Sequence, residues 1–338
     1  MKNKLLNKKV IIIAEGCDNH FGKLSNAKKM VIEAKKAGAD VIKFQHHIPD
    51  EEMLKRVPKS KNFTLSLYEF LKKYSLSIDD HKKLLVFCKK KKIEYLCTPF
   101  SYKAAKELNS IGVKWFKIGS GEFTDLPFIK KILKFNKPVI FSTGMSSIKE
   151  IEMVCRLINS QKNNKVALMN CTSEYPPRFE DINLNFITKM KKKYPKFKIG
   201  HSDHTNTITT ALGAVALGAR IIEKHVYLNN LNYGPDRHSS ISFKDLKSLV
   251  NQIRNLELSL GDNKFVYKKE LPIRKWALRS IVSIRDIQNG EILSEKNIWS
   301  KRPGTGIPSR FFDKLIGLKT KVRIKKDTLI KLSMLKKK

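Results

Sequence analysis

Short apolar runs return at regular intervals along the first two thirds of the chain: Val10–Glu15, Asp40–Gln45, Ile93–Phe100, Lys114–Ser120, Pro138–Thr143, Val166–Cys171, Lys198–Asp203 and Arg220–Val226. Helix-like stretches lie between them. Ser25–Ala37 sets Ala27, Met30, Val31 and Ala34 on one stripe, which predicts a helix with Ser25 as N-cap and Gly38 as terminator. Ser147–Asn159 and Thr205–Leu217 read the same way, with Gly218 closing the latter. Brief, continuously apolar runs with a helix after each predict strands buried on both faces of a parallel sheet. Eight such units in about 260 residues fit a closed (β/α)8 TIM barrel better than an open sheet. No G-x-G-x-x-G follows the first run, which argues further against a dinucleotide fold.

Polar residues gather at the C-terminal ends of these runs: Glu15, Lys43, Gln45, Lys117, Ser120, Glu122, Ser142, Ser202, His204 and His225. In a barrel these ends form the face where chemistry takes place. His204 and His225 stand one strand–helix–strand repeat apart, so both imidazoles can project from neighbouring strand ends.

The pattern changes after Gly261. Residues 263–276 are polar and irregular and read as a linker between a barrel over 1–262 and a small β-rich domain over 277–338. Strand-like pieces are expected there at Ser280–Ser283, Thr320–Ile324 and Thr328–Ile330, with turns at Gly290, Gly304, Gly306 and Gly317. About 60 residues bury little core alone, so docking onto a larger body is expected.

Composition adds less than its extremes suggest. The formal charge is +37, but only 12 of 68 basic residues are arginine. Nucleic-acid sites draw on arginine's fork, so lysine-rich usage of this kind reads as a solvated surface rather than a specific nucleic-acid site. Lys89–Lys92 and Lys191–Lys193 fall where helices are expected to end, where positive charge suits the helix dipole. No run approaches the roughly 20 apolar residues of a membrane span, and Val10–Ala14 is too short for a signal-peptide core. The expectation is a cytoplasmic protein without membrane contact. Five widely spaced cysteines without C-x-x-C predict neither a disulfide framework nor a zinc site.

Taken in order, the motifs resemble the sialic acid synthase family, which makes N-acetylneuraminate, legionaminate and pseudaminate. The resemblance rests on Ala14-Glu15 with Asn19-His20 and Gly22, Lys43-Phe44-Gln45, Cys97-Thr98-Pro99-Phe100, Lys117 to Glu122 and Ser142-Thr143-Gly144-Met145. It continues through Cys171-Thr172-Ser173 with Tyr175-Pro176, Ser202-Asp203-His204-Thr205, Glu223-Lys224-His225, Gly234-Pro235-Asp236 and Lys301-Arg302-Pro303-Gly304. It implies a TIM barrel joined to a C-terminal antifreeze-like (SAF) domain. It also implies condensation of phosphoenolpyruvate with an N-acetylated amino sugar and water, giving a nine-carbon 2-keto acid and phosphate.

The same resemblance implies the site. Lys43, Lys117, Ser120, Ser142, Ser173 and Ser202 would hold phosphoenolpyruvate, lysine serving as a compact point charge. His204 and His225 would hold a divalent ion, manganese or magnesium, that polarises the sugar aldehyde. Glu223 would act on metal-bound water, and Glu15 and Glu122 are candidates for acid–base steps. Gln45, Tyr175 and Asp236 would contact the sugar, joined by Arg302 from the partner subunit of a domain-swapped homodimer. Gln45-His46-His47 with Asp50-Glu51-Glu52 favours N-acetylmannosamine as the sugar. A 2,4-diacetamido-2,4,6-trideoxy hexose, giving legionaminate, is the alternative. A lysine-rich polyanion binder on an inactive barrel is a distant one, and an ice-binding SAF domain another.

The chain departs from the family pattern in a few places. The usual Ala-Glu-Ile-Gly opening is Ala14-Glu15-Gly16-Cys17, with the glycine displaced by one. Asn170 stands where a histidine is common, Ser173 where some members carry asparagine, and Asn229-Asn230-Leu231-Asn232 replaces a more acidic loop.

Overall fold

The computed structural model describes residues 9–56, 65–161, 165–229 and 236–336. The basic Met1–Lys4 and residues 230–235, which include Gly234-Pro235 and most of the asparagine-rich loop, lie outside them. The chain divides into two compact units, Met1–Gly261 and Asp262–Lys338.

Each of the eight apolar runs forms a strand. They are β1 (Ile11–Glu15), β2 (Val41–His46), β3 (Glu94–Pro99), β4 (Phe116–Ile118), β5 (Val139–Ser142), β6 (Val166–Cys171), β7 (Lys198–Asp203) and β8 (Ile221–Tyr227). All pair in parallel, in the order β3-β2-β1-β8-β7-β6-β5-β4. A two-residue strand, β9 (Ile241–Ser242), adds to β8 beyond this ring. The ladder ends at β3 and β4, which pack side by side. There the Trp115 indole donates to the Tyr95 carbonyl at 2.9 Å, and Lys114 pairs with Glu94 at 3.0 Å. The result is a nearly closed TIM-like barrel.

Strand alternation divides the core. Ile13, Val41, Leu96, Trp115, Ile140, Ala167, Met169 and Ile221 form one buried cluster. The intervening residues, such as Ile12, Ile42, Phe44, Phe116, Phe141 and Ile222, pack with the helices in a second, larger one. Gly200 takes its place in β7 because a Cβ there would meet the Ile221 carbonyl oxygen at 2.7 Å.

Helix boundaries depart from the sequence reading where local bonding outweighs propensity. The first helix is Leu24–Ala37, with Lys23 rather than Ser25 at its N-cap. Gly38 does end it, in the left-handed conformation at φ 88°. The helix expected from Thr205 begins only at Thr209. Thr205 is engaged instead with Asp203 and Lys224: its backbone N–H donates to the Asp203 carboxylate at 2.8 Å, while its hydroxyl accepts from Lys224 Nζ at 3.0 Å. Ser147 caps Ile148–Ser160 in a reciprocal bond with Glu150. The lysine runs end helices as expected: Lys89–Lys91 fill a last turn with Lys92 as left-handed cap, and Lys191–Lys193 fill another. Among the described residues no helix is long and apolar enough to cross a membrane.

The second unit is built on β10 (Ser280–Ser283) paired antiparallel with β11 (Ile298–Lys301). Its own core is Ile281, Ile287, Leu293, Ile298, Leu315, Ile324, Ile330 and Leu335. Thr320–Ile324 and Thr328–Ile330, expected as strands, make only single bridges, Thr320 to Leu335, Ile324 to Ile287 and Leu329 to Val282. Within 263–276, read from composition as irregular, Leu271–Ala277 is helical.

Candidate active site

Moving two residues along a strand keeps a side chain on the same face. Two residues beyond the apolar interior layer, the strands therefore present a polar one. Ile13 leads to Glu15, Val41 to Lys43, Leu96 to Thr98 and Trp115 to Lys117. Ile140 leads to Ser142, Met169 to Cys171, Gly200 to Ser202 and Ile221 to Glu223. One further step gives Gln45, Ser173, His204 and His225. A cavity of about 220 Å³ opens here, lined by these residues except Glu15, together with Phe100, Gly119, Ser120, Gly121, Glu122, Met145 and Tyr175.

The charged layer is tightly coupled. Lys43 Nζ lies 2.8 Å from Glu15 Oε2 and 3.5 Å from Glu223 Oε1, and donates to Thr98 at 3.1 Å. Lys117 Nζ donates to Ser142 Oγ at 2.6 Å and lies 3.9 Å from Glu223. Ser202 donates to the same Glu223 oxygen at 3.1 Å. Gln45 donates to Glu15 Oε1 at 3.2 Å. Both lysines are at least 97% buried, which rules out a surface role for them.

Environment separates the three carboxylates. Burial opposes ionisation of Glu223, but Lys117 and Lys43 outweigh it and hold its pKa down to about 2. Burial lowers the Lys43 pKa, yet Glu15 and Glu223 together raise it above the ordinary lysine value. Lys117 moves the other way: burial, helped by Lys43, outweighs its more distant contact with Glu223. Among the described residues no lysine or arginine forms an ion pair with Glu122. Burial lifts its pKa to about 7 against the pull of His47, and its Oε2 is enclosed without a hydrogen bond. A carboxyl group near neutrality in a cavity is suited to proton transfer, whereas Glu223 is suited to remain an anion.

His204, His225 and Tyr175 form the rim. Tyr175 stacks on His204 with centroids 4.2 Å apart, and the two imidazoles meet edge to face at 5.0 Å. His204 Nδ1 donates to the Thr172 carbonyl at 2.9 Å, which fixes the tautomer and leaves Nε2 with its lone pair. Burial, then His225, lowers its pKa to about 3, so it is neutral at pH 7. Two adjacent imidazoles, one of them neutral and oriented by a carbonyl, fit a divalent cation. Asp236 Oδ2 lies 3.5 Å from His225 Nδ1.

The structure thus brings together Glu15, Lys43, Gln45, Lys117, Ser120, Glu122, Ser142, Ser173, Tyr175, Ser202, His204, Glu223, His225 and Asp236. Arg302 belongs to the second unit, where its Nε donates to the Ala277 carbonyl at 3.2 Å. Sequence reading passed over Thr98 and Cys171 as site residues, although each lies two positions beyond a barrel-interior residue. It also passed over Gly144, where a Cβ would meet Ser120 Oγ at 2.7 Å and fill the space between Ser120 and Ser173. Asn170 is occupied elsewhere: its side chain donates to Ile182 O at 3.2 Å and its carbonyl accepts from His201.

Residues 30–265 match the NeuB family, and residues 279–336 match the SAF domain. The chain belongs to the NeuB family. It is 39% identical over 333 residues to the N,N'-diacetyllegionaminic acid synthase of Campylobacter jejuni, covering 96% of this chain and 99% of that one. It is 34% identical over 327 residues to the pseudaminic acid synthase of the same organism, covering 94% of each. Among solved structures it resembles the N-acetylneuraminic acid (sialic acid) synthetase of Leptospira borgpetersenii serovar Hardjo-bovis in complex with citrate. That match has a TM-score of 0.72 and 32% identity, over 78% of this chain and 90% of that one. Membership places the chain among the sialic-acid-synthase-type condensation enzymes.

Proposed function

We propose that this NeuB-family chain condenses phosphoenolpyruvate with the open aldehyde form of an N-acetylated hexose. The observation that carries this reading is the pair of buried lysines that share one cavity with two adjacent histidines. Buried cations facing an opening suit a small, highly charged anion. Lys43 and Lys117 hold its carboxylate and phosphate, while Ser120, Ser142, Ser173 and Ser202 add hydroxyl donors. Gln45, Tyr175 and Asp236 face the sugar. His204 and His225 hold the divalent ion, manganese or magnesium, which when bound polarises the aldehyde oxygen.

The enol carbon bonds to the aldehyde carbon, whose oxygen takes a proton. Water adds to the carbon that bears the phosphate and gives up a proton; the C–O bond to phosphate then breaks as the new hydroxyl becomes the keto group, its proton leaving with phosphate. Glu122, with its pKa near 7, takes the water's proton. Glu223, held ionised between the lysines, keeps them oriented and does not exchange protons near neutral pH. Glu15 positions Lys43 and Gln45.

For the acceptor, the preference for N-acetylmannosamine drawn from residues 45–52 loses its footing. His46 is bonded to Glu107, His47 to Glu52, and Asp50 accepts from Tyr68 at 2.6 Å. These groups are satisfied by one another and by the neighbouring helices Leu67–Tyr74 and Tyr102–Ser110. The 39% identity to the legionaminic acid synthase, against 32% to the N-acetylneuraminic acid synthetase, supports a 2,4-diacetamido-2,4,6-trideoxy hexose instead. Comparing kcat/KM for that sugar and for N-acetylmannosamine tests the choice: a ratio above about tenfold for the diacetamido sugar supports it, and the reverse ratio restores N-acetylmannosamine. A homodimer that lends Arg302 across subunits is part of the proposal. Phe265, Leu271, Ile273 and Trp276, each at least half exposed, are apolar surface suited to cover by a second copy. Five free cysteines support a reducing, cytoplasmic setting.

A further inference from the structure

The opening Glu15-Gly16-Cys17 carries a feature that the condensation does not use. Gly16 is needed for close packing, since a Cβ there would lie 2.8 Å from the Phe44 ring. Cys17, the next residue, takes the left-handed conformation at φ 34°. Glycine adopts this region freely and side chains rarely do. The conformation buries the thiol fully and turns it to Asp236 and His225. One donor atom from each of Cys17, His225 and Asp236 lies within 4.8 Å of the other two. His225 is 96% buried and its Nδ1, 3.5 Å from Asp236, makes no well-formed hydrogen bond. A buried imidazole nitrogen left open beside a thiol and a carboxylate is an unfilled donor set.

The geometry points to a soft divalent-metal site of Cys17, His225 and Asp236, with zinc or cobalt as the ion and the thiolate as the ligand that selects it. Sulfur, nitrogen and carboxylate donors together favour zinc over magnesium or manganese, which prefer oxygen. Three protein ligands leave a fourth position open, the arrangement of zinc sites that accept water or substrate. The metal displaces the thiol proton to solvent as the metal–sulfur bond forms, so the charge balances at one proton released per ion. Without metal, burial and the neighbouring Asp236 keep Cys17 a neutral thiol. The site shares His225 with the proposed manganese or magnesium position, so a thiolate-held ion competes with that position or replaces it. The inference itself requires only the three side chains, not the condensation.

Cobalt titration of the full-length protein tests it, because thiolate ligation gives an intense sulfur-to-cobalt charge-transfer band that oxygen and nitrogen ligands lack. The wild type is expected to show this band, saturating at one cobalt per chain and bleached by one equivalent of zinc. Cys17→Gly, which suits the left-handed backbone, should lose the band and weaken zinc binding at least about tenfold, on the scale at which single ligands and their supports act. Cobalt bound without the band overturns the inference, as does a band that survives in Cys17→Gly and so arises from another thiol such as Cys171. Failure of cobalt to bind overturns it too. The absorbance reads a metal–sulfur bond and involves no turnover, so it stands or falls separately from phosphate release with a sugar.

Discussion

The three acidic residues of the cavity differ by what surrounds them, and this gives the sharpest predictions. Burial pushes the Glu122 pKa up to about 7, outweighing the opposing pull of His47 and Lys117. If its ionised form takes the water's proton, kcat/KM should fall as pH drops through 7, to about a tenth of its plateau at pH 6. Glu122→Gln should lower kcat by about 10²–10⁴ and flatten that acidic limb. A pH–rate profile for both proteins checks this, and an unchanged limb in the variant moves the role elsewhere. His204→Ala should abolish metal-dependent turnover while the circular dichroism spectrum stays that of the wild type; metal-dependent rates at wild-type level would remove the cation assignment. Much of this layer was readable beforehand, because a strand repeats its facing every second residue. Glu15, Lys43, Lys117, Ser142 and Ser202 all follow from that rule. Electrostatic partners were not readable: nothing in the spacing of Glu15, Glu122 and Glu223 says that two of them share Lys43 while the third stands apart.

At the scale of elements, the loop after β7 is held by a buried pair outside the cavity. Lys224 of β8 is wholly buried and lies 3.1 Å from Asp203 of β7, which also accepts from Thr210 at 2.7 Å. The pair immediately precedes His225 and His204, so it ties together the strand ends that bear them. Burial lowers the Lys224 pKa and Asp203 opposes that fall. Removing one partner leaves a buried charge alone, so Lys224→Met should cost about 3–5 kcal/mol in urea unfolding. A loss below about 1 kcal/mol would show that the pair does little to hold these strand ends together. This network also explains why the helix expected from Thr205 starts at Thr209: the Thr205 side chain and backbone are already engaged. The strands were legible because eight apolar runs are a strong, repeated signal. The second unit was less so. There β11 exposes Trp299 and Lys301 and lacks a continuous apolar run, while Thr320–Ile324, which looks strand-like, finds only isolated partners.

At the scale of the whole molecule, a barrel unit and an SAF unit share one chain, and Arg302 lies in the latter. If Arg302 reaches the sugar from a second copy, Arg302→Ala should raise the sugar's KM at least about tenfold with little change in that of phosphoenolpyruvate, the signature of lost substrate binding. An unchanged sugar KM would leave the SAF unit without a part in binding. The +37 charge has no comparable site to explain it. Several lysines end helices, and the two that matter for the chemistry are buried. Condensation with cleavage of the C–O bond to phosphate underlies every role proposed for these residues. Its most direct test is incubation in ¹⁸O-water with phosphoenolpyruvate, manganese and the diacetamido hexose, with mass spectrometry of both products. Sugar-dependent phosphate free of solvent label, together with a nine-carbon keto acid, is the expected result. Labelled phosphate, or no phosphate from folded and metal-loaded protein with either sugar, would contradict it.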